Sequence, residues 1–135
     1  LIVSTEDQST GGVNWYNGVY STTNAVRDGI NAGFMNTERI IISQGTGNYA
    51  AQIAANYKGG GYGDWYLPSA YELGLLHLQR QLFFTGSNVI YYYYSSNENP
   101  TNNRQVMCYR FTSTLYSSYL DKLNTQVRVR AIRAF

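Results

Sequence analysis

Side-chain catalysis requires a nucleophile, a base to activate it and donors for the developing charge, or a metal with its ligands. In this 135-residue chain the residues able to do that chemistry are few and far apart. The one histidine, His77, lies inside an apolar helical pattern, where an imidazole is more often a satisfied structural residue than a base or ligand. The one cysteine, Cys108, excludes an internal disulfide and any multi-thiolate metal centre, and nothing around it in sequence would activate a thiolate. It is expected to be a small buried thiol. The carboxylates Glu6, Asp7, Asp28, Glu38, Asp64, Glu72, Glu98 and Asp121 are scattered, and Asp64 and Glu72 are explained by local backbone and cap bonding. The expectation is a protein without catalytic activity, cofactor or metal.

Non-covalent chemistry is better represented. From Ile90 to Gln126 the chain is dominated by Tyr, Ser, Asn and Asp, and the whole sequence holds 14 tyrosines against a charged fraction of only 13%. Tyrosine supplies rigid amphipathic area at small entropic cost, and Ser and Asn supply adaptable hydrogen bonds, the alphabet that antibody loops use. Tyr91, Tyr92, Tyr94, Asn97, Arg104, Met107, Tyr109, Tyr116, Ser118, Tyr119 and Asp121 are predicted to form one contiguous exposed ligand-binding patch. The competing reading places these tyrosines on solvated strand faces with no partner. A net charge of +2, with only Lys58 and Lys122 as ammonium groups, argues against nucleic acid, which needs a concentrated basic stripe. No apolar run reaches the roughly 20 residues of a membrane span, so no membrane insertion is expected.

The elements that must position these residues fit one domain spanning 1–135, with a helical half over about 1–86 and a strand-and-loop half whose variable part covers about 90–126. Leu1 to Ser4 reads as a strand, and Asn17-Gly18 suits a short hairpin. Asn36 or Thr37 can cap a helix through Ile40, Ile41 and Ile42 that stops at Gly45. The β-branched run would suit a strand as well, but the caps and short length favour helix. A second helix is predicted from Asn48 to Tyr57, with Tyr49, Ile53 and Tyr57 in one stripe, and a third from Ala70 to about Gln81. Between them, Gly59-Gly60-Gly61-Tyr62-Gly63-Asp64-Trp65-Tyr66-Leu67-Pro68-Ser69 forms a corner. Ser69 and Glu72 make a capping box, and Trp65, Leu67, Leu73 and Leu76 are expected to be buried together. Strands follow at Val89–Tyr94, Val106–Phe111, Leu115–Tyr119 and Val127–Ile132, with Ser95 to Asn103 as a polar loop. The fold class is α+β, with helices packed on a small twisted antiparallel sheet.

The string from Gly60 through Asp64-Trp65-Tyr66-Leu67-Pro68-Ser69 to Glu72-Leu73, the later Tyr93-Tyr94-Ser95-Ser96-Asn97-Glu98, and the terminal Val127-Arg128-Val129-Arg130-Ala131-Ile132-Arg133-Ala134-Phe135 resemble the C-terminal domain family named after the Legionella collagen-like adhesin. The likeness runs from about Asn36 to Phe135. It implies a C-type-lectin-like fold and an extracellular adhesin or receptor-binding domain on a bacterial surface appendage, a pilus or a phage tail fibre. Some members are targets of diversity-generating retroelements, in which Asn codons become Tyr, Ser or Asp codons, and the Ile90–Gln126 segment is similar to such an output. The ligand implied is a protein or glycan on a cell surface, and the assembly a homotrimer or part of a larger fibre. The family has Trp where Tyr94 stands and an aromatic where Met107 stands, whereas Phe111 and the Val127–Phe135 tail match its frame. The sugar-binding tripeptide of calcium-dependent lectins is not reproduced, since Glu98-Asn99-Pro100 has its residues in another order. Arg128, Arg130 and Arg133 could meet sulfated glycans, but pairing with Asp64 or Glu72 is the favoured role. An undiversified glycan-binding lectin and a structural fibre or pilus subunit are the alternative functions. The first part of the chain also lacks a strand that usually precedes the segment matching Leu1 to Ser4, which suggests an excised fragment or a strand supplied by another chain.

Overall fold

The computed structural model describes residues 1–84 and 91–135. The predicted strand start at Val89 and Ile90, and the change of texture after Gly86, lie outside the described residues. In chain order the elements are β1 (Ile2–Val3), α1 (Ala32–Gln44), α2 (Ala50–Asn56), α3 (Ala70–Leu78), α4 (Arg80–Phe83), β2 (Tyr92–Glu98), β3 (Gln105–Phe111), β4 (Leu115–Asp121) and β5 (Ile132–Arg133). β1 pairs antiparallel with β5, and β2-β3-β4 form an antiparallel meander. The chain around Arg128 adds to the free side of β2 through a parallel bridge to Tyr93. The architecture is therefore α+β, helices on a small antiparallel sheet.

The corner is built as its sequence predicts. The Ser69 hydroxyl accepts from the Glu72 N–H at 3.2 Å, and the Glu72 carboxylate accepts from the Ser69 N–H at 2.9 Å, completing the capping box. Glu72 does more than cap its own helix. It also accepts from the Asn31 and Gly33 N–H groups at the start of α1 and from the Tyr66 hydroxyl, so one buried carboxylate ties two helix N-termini together. Gly33 is required at this junction, because a Cβ there would come within 2.6 Å of the Ser69 nitrogen and 2.7 Å of the Leu67 oxygen. Pro68 keeps Trp65-Tyr66-Leu67 extended, and Tyr66 exchanges backbone hydrogen bonds with Ile132 in the terminal strand.

Alternation along that extended piece splits the core in two. Trp65 and Leu67 pack with Trp15, Ile40, Tyr94, Val106 and Cys108. Tyr66 points the other way, joining Leu73, Leu76, Phe84, Tyr93 and Phe111. The four residues expected to be buried together are all buried, but they divide between these two clusters.

Several other expectations are corrected. No hairpin forms around Asn17-Gly18, because the Asn17 amide instead binds the Gln44 and Thr46 carbonyls at the end of α1. α1 begins at Ala32, four residues before Asn36, which with Thr37 is buried within the helix. Of the three isoleucines only Ile40 is fully buried, and Ile42 is mostly exposed. The third helix breaks at Gln79 into α3 and α4. Ser95 to Glu98 belong to β2 rather than to a loop, and the terminal strand contracts to Ile132–Arg133 with isolated bridges before it.

Candidate functional site

Strand pairing decides which of the candidate residues share a surface. Directly opposed residues in an antiparallel pair have side chains on the same face. Val106, Cys108 and Arg110 of β3 therefore share a face with Leu120, Ser118 and Tyr116 of β4, and with Tyr92 and Tyr94 of β2. Met107, Tyr109 and Phe111 share the opposite face with Tyr119, Ser117 and Leu115, and with Tyr93. The single exposed patch expected from sequence is thus divided between two faces, because residues next to each other in a strand point apart.

The first face is mostly core. Tyr94 is 0% exposed, its hydroxyl donating to the Asn124 and Val13 carbonyls, and burial drives its phenol far above the ordinary tyrosine range. Tyr94 therefore leaves the ligand set. Asn97 leaves it too. Buried at the irregular end of β2, its side chain accepts from the Ala70 N–H and donates to the Arg27 carbonyl, fastening α3 to the loop before α1. Near the other end of this face, Tyr92, Tyr116 and Ser118 remain partly or largely exposed around Arg110, whose guanidinium stands 5.5 Å from the Tyr92 ring and 5.0 Å from that of Tyr116. Tyr91 belongs to neither group. It lies under the Arg128 guanidinium at 3.5 Å, beside the Asp7 network.

The second face is half covered. α3, through Leu73 and Leu76, and Phe84 just after α4 lie over Tyr93 and Phe111. Beyond that cover, Met107, Tyr109, Ser117 and Tyr119 form an open stretch in which Tyr119 is 42% exposed, Ser117 is exposed and Met107 is half-buried. Tyr109 sits at the boundary, and its phenol is raised first by burial and then by Asp28 and Tyr119 nearby. The next opposed pair on this face is Gln105 and Asp121. Asp121 accepts from the Tyr20 hydroxyl, which pushes the Tyr20 phenol up to about 12. Arg104 stacks on the Tyr20 ring at 4.0 Å and reaches to 3.9 Å from Asp121. The structure thus brings together Met107, Tyr109 and Tyr119, with Arg104 and Asp121 at their margin. Sequence reasoning left out Ser117, although its period-two spacing from Tyr119 marks it, and Arg110, which no local pattern marks.

The cysteine, the histidine and the carboxylate of the tripeptide-like string each sit in buried or hydrogen-bonded surroundings. Cys108 is fully buried, and burial raises its thiol. The His77 imidazole meets the Thr112 carbonyl at 2.9 Å and stacks on Phe111. Glu98, in the string that differs from the lectin tripeptide, accepts from Thr23 and from Lys122. Arg133 pairs with Asp64 as expected, but Arg128 and Arg130 both pair with Asp7 rather than with Asp64 or Glu72. Among the described residues no three His, Cys, Asp or Glu side chains converge, and no helix is long and apolar enough to cross a membrane. What the open face offers is rigid aromatic area, one thioether and hydroxyls, which suit reversible contact with another molecule. No protein-family model matches the sequence, and no curated protein matches it.

Proposed function

We propose that this chain is a non-catalytic ligand-binding domain of the adhesin or receptor-binding type, with a C-type-lectin-like fold, carried on an extracellular appendage or phage fibre and diversified in its Tyr-rich half. It works without metal or cofactor. One observation carries the reading: Met107, Tyr109, Ser117 and Tyr119 stand side by side on a strand-borne, solvent-open face. Their neighbours across the strand plane, Val106 and Cys108, are core. Such a face can change its side chains without disturbing the interior, which is what a variable binding surface requires. Exposed aromatic clusters of this kind commonly mark interaction sites. The paired terminal strands, the two larger helices and the separate meander are the arrangement expected of a C-type-lectin-like fold, and they support that finer assignment.

The labelled domain, incubated with arrays of glycans and of cell-surface proteins, is expected to bind a restricted set of spots. Met107→Ser combined with Tyr119→Ser should remove that binding with the melting temperature unchanged, whereas Tyr91→Ser should leave it intact. Binding that survives the double variant, or a domain that binds nothing on either array, would contradict the proposal.

A further inference from the structure

Among the described residues β4 is an edge strand, with no element paired to its outer side. Lys122 donates its N–H to the Arg104 carbonyl, continuing the β3–β4 register by one pair. Hydrogen-bonded and non-hydrogen-bonded pairs alternate along an antiparallel ladder. Tyr116, Ser118 and Leu120 therefore bond to β3, while the N–H and C=O groups of Leu115, Ser117 and Tyr119 point away from the sheet. None of these outward groups makes a backbone hydrogen bond to a described residue, and the Tyr119 carbonyl receives only a 3.4 Å contact from the Ser118 hydroxyl.

Natural proteins blunt such edges with Lys, Pro, bulges or a covering element. From Leu115 to Leu120 this strand has none of them: no charge, no proline and an unbroken register with β3. Its one charged residue, Asp121, is held back by Tyr20.

We propose that the β4 edge is a docking surface for a second copy of this chain, the two β4 strands pairing antiparallel about a twofold axis at Ser117. The strand is self-complementary in that register. Ser117 faces Ser117 of the other copy, Leu115 faces Tyr119, and on the opposite face Tyr116 lies across from Ser118. An aliphatic–aromatic pair of this kind is a favourable cross-strand contact. No like charges are brought together, since Asp121 falls opposite Ser113. The twofold axis stands perpendicular to the sheet, so the meanders fuse into one continuous sheet and the two Met107–Tyr119 faces come to lie on the same side. A surface ligand presented in several copies would then be held at two points, raising avidity without any new contact to the ligand. The dimer itself does not depend on what that face binds.

The test is sedimentation equilibrium of the intact chain as its concentration rises from the micromolar to the millimolar range. The expected result is a mass that climbs towards twice the monomer. Ser117→Pro deletes an outward N–H at an edge position, where proline is tolerated, and Ser117→Lys adds the charge that natural edges carry. Both are expected to hold the mass at the monomer with an unchanged far-ultraviolet circular dichroism spectrum, so a folding failure of either one is visible and the other still decides. A wild-type chain that stays monomeric throughout, or a folded Ser117→Lys or Ser117→Pro chain that still doubles in mass, would overturn the proposal.

Discussion

Lys122 and Glu98 lie 2.6 Å apart with both side chains out of water. The ammonium also donates to the Ser21 carbonyl and sits 4.8 Å from the Trp15 ring, and the carboxylate also accepts from the Thr23 N–H and hydroxyl. Burial outweighs the carboxylate and lowers the lysine from its ordinary value. Removing one member of such a pair leaves an uncompensated buried charge, which costs about 3–5 kcal/mol, whereas replacing both is far milder. Lys122→Met is therefore expected to lose stability on that scale in urea unfolding, with Glu98→Gln plus Lys122→Met recovering much of it. A single variant as stable as the parent would show the pair to be dispensable. Nothing local in the sequence distinguishes Lys122 from a solvated lysine, because its partners are 24 and 101 positions away. The pairing of Asp7 is illegible for the same reason, since the arginines it holds are more than a hundred residues downstream.

Elements whose signals are local were legible. The Ser69–Glu72 capping box, the stop of α1 at Gly45 and the strands β3 and β4 follow from short-range chemistry, and each is present. The Ser95–Glu98 stretch was not legible, because its polar residues resemble a loop until their distant partners are known. Ser96 donates its N–H to the Pro68 carbonyl, the Ser95 carbonyl accepts from the Trp15 indole, and Asn97 bonds to Ala70 and Arg27. Trp65 is where the extended corner meets the first core. Its indole donates to the Gly59 carbonyl at 3.1 Å and its ring stands edge-on to Tyr57. Trp65→Ala is expected to cost about 3–5 kcal/mol. A thermal melt that does not move would remove the corner from its organising place in the fold.

At the scale of the whole molecule, two clusters of core residues lie on opposite sides of one meander, and among the described residues part of each sheet face is left open, around Tyr116 on one and around Met107, Ser117 and Tyr119 on the other. Composition marked the Tyr-rich segment, and several of its tyrosines are exposed. Which of its residues face outwards depends on registers that composition does not carry, and so Tyr94 and Asn97 moved to the interior while Ser117 joined the surface. On the proposed reading the open face of Met107, Ser117 and Tyr119 can vary while the fold stays constant. Substituting every residue of β2, β3 and β4 in turn and measuring resistance of the folded chain to proteolysis tests that directly. Tolerance should alternate along the strands: Met107, Ser117 and Tyr119 accept nearly all residues within about ±0.5 kcal/mol, while Tyr94, Val106 and Cys108 accept few. Equal intolerance at Met107, Ser117 and Tyr119, or tolerance with no period of two, would contradict the account.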